Sequence, residues 1–180
     1  MSPAEISQAI QDTTFFTGLR ESGLPYPIVL STHLTCIAVF GGLILMSDLR
    51  LLGIAMKNVP VSEILLRSRP WKRLGFVIMV TCGILLAGSK FASYYDNPYF
   101  QIKMCLLALV GVHAIVFHRS VYANPERLDN FKVMPRAAKA AACVSLVLWL
   151  GILSMGRWIA YFERPGDHPR RAVPVASSPR

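Results

Sequence analysis

The sequence predicts an all-α integral membrane protein: a four-helix up-down bundle with a short surface helix at its N-terminus. Three observations predict it. Hydrophobic residues make up 53% of the 180 and charged residues only 16%, where soluble domains carry about 25% charged. The apolar residues fall in long blocks, each near the twenty or so residues a helix needs to cross a bilayer. The cations sit at the ends of those blocks, where membrane topology accounts for them. The net charge of +9 therefore carries no nucleic-acid reading, because no single face or tail collects the basic residues.

The first element is "SPAEISQAIQ". Ser2 caps it, Pro3 fits the first helical position and Glu5 completes a capping box. Ile6, Ile10 and Phe15 give it a partly apolar face, which predicts a short helix lying on the membrane surface. No cleavable signal peptide is expected: the first twenty residues carry Glu5 and Asp12 with Arg20 as the sole cation, and no apolar stretch follows a basic start.

Four spans follow, at about residues 26–47, 71–89, 100–118 and 140–161. The third is the weakest. Its unbroken apolar run is only Met104–Val112 before His113 interrupts it, and Lys103 has to snorkel outward. Tyr26, Trp71, Tyr94, Tyr95, Tyr99, Phe100, Trp158 and Tyr161 fall at the expected interfaces as belt aromatics. Residues 1–162 read as one transmembrane domain and 163–180, rich in Pro, Arg and Ser, as a disordered tail. His168, inside that tail, reads as solvated.

The connections divide by charge. Arg50, Lys57, Arg67, Arg69, Lys72 and Arg73 flank the first linker, and Arg119, Arg127, Lys132, Arg136 and Lys139 the linker between spans three and four. The N-terminal segment and the connection between spans two and three hold only Arg20, Lys90 and Lys103. The positive-inside rule puts the two basic linkers in the cytoplasm and both termini on the extracytoplasmic side of a bacterial inner membrane. Arg157, Arg164, Arg170, Arg171 and Arg180 argue against that orientation, from the end of the last span, where their influence is smaller.

Cys36, Cys82, Cys105 and Cys143 fall one per span with no CxxC pair, so no zinc site or disulfide framework is indicated. They read as small buried hydrophobes. There is no HExxH, GxGxxG, P-loop or hydrolase elbow. Nor is there the run of intramembrane carboxylates, or the inverted repeat, of a proton-driven transporter.

Ionisable residues at membrane depth point to function, and the histidines are the candidates. His33 in span one is either a ligand to haem or metal, or a histidine hydrogen-bonded across the bundle. His113 in span three shares a face with Leu106, Leu109, Val110 and Phe117. His118, five residues later, points about 140° away, so the two cannot serve one site; beside Arg119 it reads as interfacial. In an up-down bundle spans one and three are diagonal, and a haem b between His33 and a histidine of span three is a sensible arrangement. Gly41, Gly42, Gly83, Gly88 and Gly111 would make room for the ring, and Lys90, Lys103 or Arg157 would face its propionates. Depth decides the pairing. From Tyr26, His33 is about 10 Å down, and from Phe100, His113 is about 20 Å down; the depths agree only if span one starts near Leu24 and span three near Lys103. Asp48 and Arg50, in "SDLRLLG", read as a local pair or helix cap.

Taken in order, Tyr26-Pro27, His33, the Asp48-Leu49-Arg50 triplet, Phe100 with Lys103, Phe117-His118 and Gly156-Arg157 resemble an uncharacterised bacterial family of four-span membrane proteins, a domain of unknown function. The resemblance covers about residues 17–161. It implies the topology and no established activity. It also implies a motif centred on Phe117-His118, with an amide often near the place of His113, which favours His118 over His113 as a ligand. The family is loosely similar in architecture to small membrane cytochromes b and to copper-resistance membrane proteins.

Three functions stay open on these residues. One is a haem b electron carrier between a membrane quinol and an extracytoplasmic redox partner, with His33 and either His113 or His118 as axial ligands and Arg157 near a propionate. Another is an accessory subunit handling copper(I) through soft ligands such as Cys36, one turn from His33, and Met46, Met79, Met104 and Met155. The last is a structural membrane protein without a cofactor, whose histidines satisfy hydrogen bonds within the bundle.

Overall fold

The computed structural model describes residues 2–131 and 133–162. The expected tail, with His168, lies outside the described residues. The chain is all-helical, 82% helix, with no strands among the described residues. Four helices are long and apolar enough to cross a membrane: α3 (Pro25–Leu52), α4 (Val61–Ser89), α6 (Pro98–Phe117) and α8 (Arg136–Ile159). Shorter pieces surround them: α1 (Pro3–Gln11), α2 (Thr14–Glu21), α5 (Phe91–Tyr95), a π-helical turn His118–Tyr122 and α7 (Glu126–Asp129).

The boundaries follow from local chemistry. The expected capping box closes α1: Glu5 N–H donates to Ser2 Oγ (3.2 Å) and Ser2 N–H to Glu5 Oε2 (2.8 Å). α3 begins on Pro25, whose missing N–H costs nothing at a first turn. It ends in a Schellman motif, with Gly53 N–H on Arg50 O and Ile54 N–H on Leu49 O, both 3.0 Å. Gly53 takes φ 74° there, a left-handed conformation that a side chain resists. α6 is capped by Asn97, whose Oδ1 accepts from the N–H groups of Tyr99 and Phe100.

The structure extends the sequence reading at two places. The helix that carries the second span starts at Val61, ahead of residue 71, and has Arg67, Arg69 and Pro70 inside it. Val61, Ile64, Leu65 and Ser68 are buried, so this basic segment has an apolar face that packs on the bundle, and helix continues through what reads as a linker. The N-terminal region, in turn, forms two helices, and they dock. Phe16 of α2 lies against Gly88 of α4, Arg20 Nη1 donates to Ser89 O (3.2 Å) and Ala92 N–H donates to Gln11 Oε1 (3.0 Å).

The bundle is up-down, and the paired residues prove the directions. On α3 and α4, His33 meets Met79 and Ser47 meets Lys72. On α3 and α8, Gly41 meets Trp149 and Asp48 meets Ser145; on α6 and α8, Leu106 meets Gly151 and His113 meets Ala141. Each set runs antiparallel. α3 packs between α4 and α8, and α6 packs on α8. The bundle therefore has a terminal end, where α1, α2 and α5 lie, and a linker end, where the two long basic connections lie. Its tightest core is at the linker end, where Leu51, Val61, Val121, Ala138, Ala141 and Ala142 are each no more than 1% exposed. The mid-bundle outer faces are apolar and open, as at Ile84, Leu109 and Val147, which is the surface lipid covers.

Candidate functional site

The structure distributes the expected histidines between the two ends. His33 is half-buried on α3, and its Nδ1 lies 2.9 Å from the Met79 carbonyl of α4. A carbonyl only accepts, so Nδ1 carries the proton and Nε2 is left with a lone pair. The ring fills the gap at Gly83, where an added Cβ would stand 3.2 Å from His33 Cε1. His113 is also half-buried, but its Nε2 lies 2.9 Å from the Ala141 carbonyl of α8, so its lone pair is on Nδ1. His118 is exposed and opens the π-helical turn, accepting from Ala123 N–H through its carbonyl (2.7 Å).

His33 and His113 lie at different levels. Gly41 and Leu106 mark nearly one level on α8, at Trp149 and Gly151. His33 lies two turns from Gly41 toward the terminal end, and His113 lies two turns from Leu106 toward the linker end. At 1.5 Å per residue about 20 Å separates them along the bundle. The helix starts that would have matched their depths, Leu24 and Lys103, are not the observed ones, Pro25 and Pro98.

The glycines expected to open space are mostly filled by this chain's own side chains. Trp149 covers Gly41, His33 covers Gly83 and Phe16 covers Gly88, while Gly42 and Gly111 face open space. Arg157 is exposed, donates to the Tyr161 hydroxyl and holds its guanidinium 4.8 Å from the Tyr161 ring. The Lys103 ammonium lies against Gly156, near the terminal end of α8, and its charge acts on His33. Lys103 is thus the cation facing the His33 level. Of the cysteines only Cys82 is buried; Cys105 and Cys143 are exposed and Cys36 is intermediate, which corrects the expectation of four buried thiols. Helices so apolar all round have lipid-facing positions for a thiol too. Among the described residues no three His, Cys, Asp or Glu side chains converge as ligands to one ion.

The linker end holds a denser polar centre, one that sequence reasoning reduced to a local pair. Asp48 of α3 is 2% exposed, and its Oδ2 is buried with no hydrogen-bond partner. The Ser145 side chain of α8 bonds to the same carboxyl, and Lys72 of α4 acts on it electrostatically. Lys72 Nζ donates to Ser47 Oγ (2.6 Å), and Ser47 donates to Leu43 O (2.9 Å). Arg69 Nη2 donates to Tyr122 O (2.6 Å). The Tyr122 ring stands 6.4 Å from the His113 ring. Burial, and then the charge of Asp48, push the Tyr122 phenol well above its ordinary range, so it stays a neutral donor. The π-helical turn makes this possible, since its extra residue per turn drives Val121 into the core and brings Tyr122 under α6. Arg50, expected beside Asp48, instead turns to the first linker, where its Nε donates to Val59 O (2.7 Å).

Chemically, the linker end offers one carboxyl oxygen without a donor, an ammonium nearby and neutral hydroxyls, brought together from α3, α4, α8 and the π turn. The signal for it in the sequence was Asp48 itself, an acid three residues from the end of an apolar run, with Lys72 at the start of the next.

The chain belongs to a family of unknown function (DUF6644), whose profile matches residues 12–162. No curated protein and no solved structure matches it.

Proposed function

We propose that this chain is a membrane subunit that exchanges a proton at Asp48. One observation carries the reading: the buried Oδ2 of Asp48 has no donor. A buried polar atom is normally satisfied, and an oxygen without a donor takes up either a proton or the donor of a bound molecule. Lys72 acts on it and Tyr122 feels its charge, Ser145 is its neutral neighbour, and Ser47, Arg69 and His113 lie one contact further out, on Lys72 and Tyr122. With both basic linkers toward the cytoplasm, Asp48 lies in the cytoplasmic half of the bundle in a bacterial inner membrane and both termini face outward. Infrared spectra of the purified protein in H2O and D2O test the reading. A carboxylic-acid C=O band that shifts in D2O, titrates with pH and vanishes in Asp48→Asn is expected. No such band at any pH where the protein stays folded would leave Asp48 a permanently ionised partner of Lys72.

A second reading rests on His33. A histidine whose Nδ1–H is fixed by a backbone carbonyl presents Nε2 in the form that ligates metal, and Lys103 supplies a cation at the same level. In this reading the chain carries haem b on His33 and passes electrons between a membrane quinol and an extracytoplasmic partner. His113 would not join His33 in holding it, since that ring is bonded to α8 about 20 Å away along the bundle. The filled glycines mean that side chains such as Trp149 must move to admit the ring. Oxidised and dithionite-reduced absorption spectra with metal analysis decide it: a reduced alpha band with stoichiometric iron, lost in His33→Ala, supports haem. A colourless, iron-free protein from haem-replete cells removes it, and copper in that sample would transfer His33 and Cys36 to a copper-handling accessory role.

A further inference from the structure

A cleft of about 600 Å³ opens at the linker end between the close of α3, the 53–60 connection, α7 and the chain leading into α8. Among its described lining residues the cations are Arg50, Lys57 and Lys139 and the anion is Asp129. Asp129 accepts from Ser62 N–H through Oδ1 (3.2 Å) and feels the charge of Arg50, and three cations against one anion leave the described lining with an excess of positive charge. Its far wall is apolar and open: Phe131 is 53% and Val133 74% exposed. The cleft lies where α3 ends and α4 and α8 begin, the level at which a bilayer places its headgroups. Exposed apolar side chains beside clustered cations suit a molecule that is anionic at one end and apolar at the other.

We propose that this cleft binds the headgroup of an anionic phospholipid, its phosphate among Arg50, Lys57 and Lys139 and its acyl chains leaving along Phe131 and Val133. Charge complementarity selects the anionic lipid over a zwitterionic one. The open apolar wall selects a lipid over free phosphate, which has nothing to place there. Arg50 is set in position from below by its bond to Val59.

The test uses the full chain in nanodiscs of phosphatidylcholine with phosphatidylglycerol, followed by native mass spectrometry of the lipids it retains. Wild type should retain phosphatidylglycerol selectively. The double variant Lys57→Glu/Lys139→Glu should lose about thirtyfold in that retention, whereas Lys57→Arg/Lys139→Arg and the charge-matched Arg73→Glu/Arg127→Glu, outside the cleft, should keep it. Equal retention of both lipids by wild type overturns the proposal. So does unchanged retention in the folded Lys57→Glu/Lys139→Glu protein, or equal loss in Arg73→Glu/Arg127→Glu, which would reveal only diffuse charge. Should the double glutamate variant fail to fold by circular dichroism, Lys57→Glu alone carries the comparison. Inorganic phosphate added alone is the remaining arm: displacement of phosphatidylglycerol at equal concentrations overturns lipid recognition in favour of a simple anion site, and failure to displace it supports the lipid.

Discussion

The two ends of the bundle are held together by different physics. At the terminal end, side chains fill backbone gaps: Phe16 lies on Gly88 and His33 on Gly83. The polar contacts there are single bonds to carbonyls, such as His33 to Met79 and Arg20 to Ser89. At the linker end, an almost fully buried carboxyl is met by side chains from two other helices, within the tightest core of the molecule. Shape sets the first end and electrostatics the second. A buried charge network fails sharply when one member is removed, because the others stay behind uncompensated, whereas a neutral contact is lost alone.

The largest expected effect tests that contrast directly. Lys72→Met should destabilise the protein by about 3 kcal/mol, because the buried Asp48 carboxyl loses its nearby cation and Ser47 Oγ loses its donor. Lys72→Met/Asp48→Asn, which removes both charges, should recover most of it. His33→Gln at the terminal end should cost about 0.6 kcal/mol, the average for one hydrogen bond within a membrane bundle. Reversible unfolding in bicelles gives all three values. Equal costs for Lys72→Met and His33→Gln would break the comparison, and failure of the double variant to recover would mean that Lys72 acts through packing.

The same contrast explains what the sequence disclosed. Four spans, their alternation, the capping box at Ser2 and the breadth of the apolar blocks are local, periodic signals, and they were legible. The start of α4 at Val61 was not, because Arg67 and Arg69 read as linker when their buried neighbours Ile64 and Leu65 are not weighed with them. His33 and His113 stood out as polar residues in apolar runs, but which neighbour each ring meets depends on tertiary packing, and the level of each follows from helix starts that a sequence places only to within a turn. Asp48 was visible as a residue and invisible as a centre: its meaning comes from Ser145, Lys72 and Tyr122, which lie on other elements. Tyr122 had no signal at all, since a π-helical turn leaves no periodicity to read.

Two glycines sharpen the comparison at intermediate cost. Gly88→Ala at the terminal end should cost about 1–3 kcal/mol by overpacking against Phe16. Gly53→Ala at the linker end has open space around it but must hold φ near 74°, which costs about 1–2 kcal/mol. The causes separate by rescue. Phe16→Ala should restore the Gly88→Ala variant and leave the Gly53→Ala variant unchanged, whereas Asn at position 53 should outperform Ala there, because Asn tolerates the left-handed region. Rescue of both variants by Phe16→Ala would show that one packing defect underlies them.

The smallest effect belongs to Asp129, and it carries a pH signature. Pro60 precedes α4 and supplies no side-chain cap, so the helix start is served from a distance by Asp129, which accepts from Ser62 N–H. Burial alone would push this carboxyl up. The hydrogen bonds from Ser62 and from the Val61 backbone, with the charge of Arg50, outweigh it and hold the group below its ordinary value. A carboxyl lowered on folding stabilises the protein above its unfolded pKa, and that contribution disappears as pH falls through the lowered folded value. Removing the cap with Asp129→Ala should therefore cost about 1 kcal/mol or less at neutral pH, and the gap between wild type and variant should close on acidification into and below the carboxylate range. Unfolding midpoints across that range read it directly. A gap that stays constant with pH would assign the contribution of Asp129 to its geometry as a cap, with no share for its charge, and would confine the pH sensitivity of the linker end to Asp48.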